Sequence, residues 1–266
     1  MKLKILFSVL ALSFLFLMSC SEDDKTNDPT DNLLPMKVGA YWIMDYWTVD
    51  TTGRRVEDEH ALDSIVVSAQ QQMMGKTAYG FTRYRTPDGE ETMEMPEQYF
   101  AKESGRIYLN SQSFFSNINL DRLPVELPIE LPEEWFLILD PNKDEWVIYA
   151  DTISEVPLDI PDFGEATYNG ILRIRGEKAG TVQLETLGES YTAYKFTVYT
   201  ELIDSYIERQ NFQINFPLES RTHFWFVNDI GLVQERNDVF ELELPFLGAY
   251  KFEGYETVLI RYNAVE

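Results

Sequence analysis

From about Leu34 to the C-terminus the chain is built of short runs rich in Tyr, Phe, Trp, Val, Ile and Thr, separated by turn signals. In Thr192–Leu202, Tyr194, Phe196, Val198 and Leu202 fall on one face and Lys195, Thr197 and Glu201 on the other, the alternation of a half-buried antiparallel strand. No window of about fifteen residues carries an apolar stripe at the helical period. Parallel sheets need helical crossovers, so Rossmann and barrel enzyme folds of that kind are excluded. The pattern predicts strands at Tyr41–Val49, His60–Ala69, Thr77–Arg85, Arg106–Asn110, Trp146–Ile153, Tyr168–Arg175, Thr181–Thr186, Thr192–Leu202, Ser205–Phe216, Thr222–Asn228 and Tyr250–Tyr262. Pro87-Asp88-Gly89 and Leu187-Gly188-Glu189-Ser190 read as tight turns. The expected fold is all-β and mainly antiparallel: a single large curved sheet, half-barrel or β-sandwich, with few short helices.

A chain of 266 residues, 44% hydrophobic and 14% aromatic, can fill one large core. It must do so by packing, because a single cysteine permits no internal disulfide. The formal charge of -23 excludes nucleic acid and anionic lipid surfaces as partners, since both require clustered Lys and Arg.

The first nineteen residues have the parts of a signal peptide: Lys2 and Lys4, an apolar run from Ile5 to Met18, and the small residue Ser19. The run is too short for a comfortable transmembrane helix. Leu17-Met18-Ser19-Cys20 resembles the bacterial lipoprotein signal, with Met18 in place of the usual small residue. The resemblance implies that Cys20 becomes the first mature residue and carries the acyl chains that attach the protein to a membrane. The acidic run Ser21-Glu22-Asp23-Asp24-Lys25 resembles the surface-export signal of Bacteroidota lipoproteins, which implies an outer-membrane location exposed at the cell surface. Its Asp, Asn, Thr and Pro content also suits a solvated tether. The expected organisation is therefore a signal peptide over 1–19, an acidic tether over 20–33 and one β-rich domain over 34–266.

Two features of the folded part stand out. Between Leu123 and Leu131, apolar residues alternate strictly with Pro124, Glu126, Pro128 and Glu130, which predicts an extended belt along a sheet edge that cannot itself accept a further strand. On the strand at Tyr41–Val49, Trp42, Met44 and Tyr46 point one way while Tyr41, Ile43 and Trp47 point the other. One face belongs to the core. The other is either covered by neighbouring segments or lines a groove for a lipid or sugar, which makes Trp42, Tyr46, Trp47 and Trp225 the candidate groove aromatics.

Chemistry is sparse. His60 and His223 stand apart in strand patterns, and no metal-ligand spacing, nucleophile elbow or phosphate loop is present. Asp140, Asn142 and Asp144 match the first donors of a calcium loop, but Glu145 stands where that loop needs glycine and Asp151 where it needs glutamate. A hairpin turn is the expected reading, with no metal, no cofactor and no catalytic residue.

Leu34-Pro-Met-Lys-Val-Gly-Ala-Tyr-Trp-Ile-Met-Asp-Tyr46 resembles the opening strand of β-rich Bacteroidota lipoproteins, and Phe224-Trp-Phe-Val-Asn-Asp-Ile-Gly-Leu-Val-Gln-Glu235 resembles their closing hairpin. The same hairpin occurs in lipid-carrier lipoproteins, whose curved sheet forms a half-open barrel around a groove. In the hairpin, Gly231 suits a positive φ and is expected to let Trp225 face Val233. The sequence thus points to a non-enzymatic surface lipoprotein that binds a protein or glycan partner or serves a structural role. The alternative is a carrier or sensor of an apolar ligand, followed by a carboxylate-based glycan hydrolase.

Overall fold

The computed structural model describes residues 30, 32–114, 132–160, 164–210, 212–215, 217–244 and 248–264. Cys20 and the Leu123–Leu131 belt lie outside the described residues. The strands are β1 (Tyr41–Val49), β2 (Arg55–Met73), β3 (Lys76–Pro87), β4 (Met93–Glu94), β5 (Gln98–Glu103), β6 (Arg106–Asn110), β7 (Trp135–Leu139) and β8 (Glu145–Ile160). They continue as β9 (Gly164–Thr186), β10 (Glu189–Arg209), β11 (Phe212–Asn215), β12 (Leu218–Val227), β13 (Gly231–Asn237), β14 (Phe240–Leu244), β15 (Gly248–Phe252) and β16 (Gly254–Asn263). One helical turn, α1 (Ser111–Phe114), follows β6.

All but β14 and β15 join one fourteen-stranded antiparallel sheet in the order β7-β6-β5-β3-β2-β1-β16-β13-β12-β10-β9-β8, with β4 on β3 and β11 on β10. Its two end strands, β7 and β8, are consecutive in the chain. The sheet therefore curls until its ends meet, and side chains carry the seam. The Trp146 indole N–H donates to the Leu137 carbonyl at 3.0 Å, and Phe136 meets Tyr149 edge-on at 5.6 Å. Gly176 pairs with Trp146 across β8 and β9, and a Cβ there would overlap the indole ring. The missing side chain is the space into which the seam tryptophan lies.

Several predicted strands run longer than their apolar alternation. Tyr168–Arg175 and Thr181–Thr186 are parts of the single strand β9, because polar residues between them still pair with β10. Tyr250–Tyr262 divides into β15 and β16 around Glu253, and Ser205–Phe216 divides between β10 and β11. The Leu187-Gly188 turn has φ of +56° and +78°, the two-residue geometry that matches the twist of a hairpin.

The inside of the barrel is apolar and the outside carries charge. Phe196, Val198 and Leu202 of β10 face inward, whereas Glu201 faces outward and holds Arg173 at 2.8 Å and Arg175 at 3.3 Å. A membrane-spanning barrel has the reverse pattern. Register places the Met74-Gly75, Leu187-Gly188 and Asn228–Ile230 turns at one end, here the lower. The β14–β15 hairpin, with Phe240 stacked on Phe252 at 4.3 Å, stands at the upper end.

Packing begins inside the stretch expected to be tether. Leu33 is only 1% exposed and Leu34 is buried. Asn32 fixes this segment to the lower end: its carbonyl accepts from Asp229 N–H at 3.0 Å, its amide N–H donates to Asn228 Oδ1 at 3.1 Å, and Lys102 Nζ donates to its Oδ1 at 2.8 Å. Of the two leucines, only Leu33 falls in the stretch expected to be tether, and Leu34 opens the expected domain.

Candidate functional site

A cavity of about 210 Å³ occupies the barrel interior, lined by residues from every strand of the sheet path, from Ile138 of β7 round to Ile148 of β8. Its wall is mostly Ile, Leu, Phe and Val, including Phe81, Phe100, Phe196, Phe224 and Phe226. Leu34 stands at the lower end. Trp42 lines the cavity beside it, with its ring stacked 6.1 Å from Phe81 and its indole N–H donating to the Ile230 carbonyl at 2.6 Å. Gly231, at φ +104°, lets that tryptophan pass: a Cβ there would stand 2.9 Å from the indole nitrogen.

The polar members of the wall are Arg83, Gln98, Thr222, Glu235 and Tyr255. Arg83, Glu235 and Tyr255 belong to a buried network at the upper end. Arg83 Nη2 donates to Glu235 Oε2 at 3.1 Å, and its Nε lies 3.5 Å from Asp63 Oδ2. Asp63 is 0% exposed and receives both Nε and Nη2 of Arg85 at 2.8 Å. Tyr255 donates to Glu235 Oε1 at 2.5 Å and stacks on Tyr46 at 5.8 Å, and the Arg85 guanidinium lies 3.6 Å from the Tyr46 ring. All four carboxylate oxygens therefore have donors.

Burial acts to lower the Arg83 pKa, but the carboxylates of Glu235 and Asp63 outweigh it and the pKa is raised. Burial, reinforced by the Glu235 charge, pushes the Tyr255 hydroxyl well above its ordinary value. The network is thus a fixed pair of ion pairs with a neutral phenol. The two carboxylates do not form an acid–base couple around an empty cleft, because the Arg83 guanidinium bridges them.

Of the four candidate groove aromatics, the structure brings only Trp42 and Tyr46 to the interior. Trp42 forms part of the cavity wall, and Tyr46 backs the polar network. Trp47 lies on the outer face, packed on His60 at 4.3 Å with Arg55 5.6 Å from its ring. Trp225 is also outward, under Lys195. It pairs with Gln234 instead of Val233, because a bulge between Trp225 and Phe226 shifts the hairpin register.

His60 is held between Asp88 at 2.9 Å and Asp45 at 3.3 Å, and the Asp88 hydrogen bond leads in raising its pKa. His223 lies between Thr197 at 2.9 Å and Asp238 at 3.1 Å, and burial leads in lowering its pKa. Both are cross-strand contacts of the outer surface. At the calcium-like segment, Asp140 is buried, accepts the Asn142 N–H at 3.1 Å and pairs with Arg106 at 3.1 Å. These bonds make a capped hairpin turn. Among the described residues no cluster of three metal-ligating side chains occurs.

The network was not anticipated, although its signal is simple. Asp63 lies two residues before the inward Ile65, and Arg83 and Arg85 follow the inward Phe81 at steps of two. Charged residues on the inward side of strands mark a polar site inside the barrel.

No family model matches the chain, and no curated protein matches it. Two solved structures are similar over 88% of this chain and 99% of theirs. One is a candidate lipoprotein from Parabacteroides distasonis, at 12% identity and a TM-score of 0.46. The other is a candidate exported protein with a YmcC-like fold from Bacteroides fragilis, at 11% identity and a TM-score of 0.40.

Proposed function

We propose that the protein is a non-enzymatic, lipid-anchored carrier or sensor of an apolar ligand, held in the barrel interior and displayed at the outer membrane. The observation that carries the reading is the apolar cavity lined by every strand of the sheet path. A surface-binding module has no need of such a space, and close-packed interiors leave few voids larger than a water molecule. Concave apolar sites with a few placed polar groups are the common form of small-molecule sites. Cys20 supplies the anchor in this reading. Eleven residues separate it from Asn32, an extended reach of about 40 Å, which ties the lower, Leu34 end of the barrel to within about that distance of the membrane. The non-enzymatic part is supported by the ion-paired state of Asp63 and Glu235, which Arg83 and Arg85 hold as carboxylates.

The test is to extract the purified protein with organic solvent and identify co-purifying molecules by mass spectrometry, beside a Val198→Trp variant whose new ring fills the cavity. An apolar molecule present at about one per chain in the wild type and absent from the variant is expected. Equal recovery from both proteins overturns the reading. Separately, Cys20→Ser should move the protein from the membrane to the soluble fraction with its fold unchanged.

A further inference from the structure

We infer that the ligand is an uncharged single-chain amphiphile whose head is a hydrogen-bond acceptor, such as a fatty alcohol or a monoacylglycerol, and that the cavity discriminates against the corresponding fatty-acid anion. The inference rests on the carrier reading and adds the chemistry of the ligand.

Size comes first. A cavity of about 150 Å³ accommodates benzene, so about 210 Å³ takes roughly eight carbons. That suits one short chain or the end of a longer one, and leaves no room for two chains side by side.

The charge of the head follows from the wall. Gln98, Thr222 and Tyr255 are neutral, and the single cation, Arg83, is matched by the single anion, Glu235, at 3.1 Å. Immediately behind them Asp63 and Arg85 form a second balanced pair. A carboxylate entering beside Arg83 gains a guanidinium already shared by two carboxylates, and meets the Glu235 charge at the same distance scale. It also leaves water and approaches a protein of formal charge -23. Nothing compensates those costs.

An uncharged acceptor meets no such penalty. The hydrogen bond described for Arg83 uses one N–H of Nη2, its Nε lies 3.5 Å from Asp63 Oδ2, and a guanidinium has five N–H donors. A hydroxyl or ester oxygen at the upper end of the lumen can accept from the remainder while its chain runs down toward Leu34.

The experiment is competition of 1-octanol, 1-monooctanoylglycerol and octanoate at pH 8 against a fluorescent apolar probe bound to the intact protein, repeated with Glu235→Gln. The amide keeps one acceptor oxygen for Arg83, offers its NH2 to the Tyr255 hydroxyl, which can turn to accept, and removes one negative charge. In the wild type the two neutral compounds should compete at least about tenfold better than octanoate. In the variant that ratio should fall by about tenfold or invert. Octanoate competing as well as octanol in the wild type overturns the inference and leaves the carrier reading standing, as does a ratio unchanged in a folded Glu235→Gln protein. Failure of the probe and all three compounds to bind overturns both. The wild-type comparison decides the question even if the variant does not fold.

Discussion

At its lower end the barrel interior is stopped by Leu33 and Leu34, held through Asn32 to the β12–β13 turn and to Lys102, whereas at its upper end the wall carries Asp63, Arg83, Arg85 and Glu235. The same strands build both ends. In the lower one, removing apolar surface from water is the stabilising term, and neighbouring residues can partly relax into any gap. In the upper one, each charge is tolerable only because its partner is present, so the network tolerates no single deletion. The difference gives the cavity a direction: an apolar floor at Leu34 and a polar rim at the opposite end.

The largest expected effect is therefore at the upper end. Asp63→Ala strands Arg85 and half of Arg83 in the interior and should cost about 3–5 kcal/mol in denaturant unfolding. A loss below about 1 kcal/mol would mean that water reaches the network freely. Leu33→Ala should cost about 2–3 kcal/mol, less because an apolar gap strands no charge and neighbouring side chains partly fill it. A larger loss than that of Asp63→Ala would reverse the ranking of the two ends. Gly231→Ala imposes a left-handed backbone on a Cβ residue and pushes on Trp42, for a cost of about 1–3 kcal/mol. Its specific signature is a changed Trp42 environment, read by fluorescence against a Trp42→Phe background.

The smallest effects belong to the outer surface and have opposite signs. His60 has a raised pKa in the folded protein, so its contribution is full below the ordinary value of 6.5 and is lost as pH rises through the folded pKa. His223 has a lowered pKa, so its contribution is present above 6.5 and is lost as pH falls through the folded pKa. The stability difference between wild type and His60→Gln should thus shrink as pH is raised, and that for His223→Gln should shrink as pH is lowered. Parallel pH profiles for the two variants would contradict these signs.

Much of the fold was legible because alternation is a local signal. β1 and β6 coincide with the segments predicted from it, and the inward set of β10 is the one read from Tyr194 to Leu202. β7 was not predicted, since Trp135–Leu139 is a continuous apolar run with no period to read, and β5 is a short strand with little alternation. Closure was not legible either, because the seam depends on Trp146 crossing to β7 over the bare face of Gly176. Alternation says which side chains face in, but not whether they meet at the centre. That is why Trp42 could be placed on a candidate groove face while the sequence left undecided whether that groove is open or filled. The polar rim had a sequence signal in the spacing of Asp63, Arg83 and Arg85, and it was masked by the abundance of charge elsewhere.

The central claim is that the interior is a ligand space, and calorimetric titration of the wild-type protein with 1-octanol tests it most directly, with Val198→Trp as the filled control. One site per chain is expected, with a negative heat-capacity change from apolar burial, and no site in a variant that keeps the wild-type circular dichroism. Absence of heat and of displacement in the wild type, or an identical isotherm in the filled variant, would contradict the account.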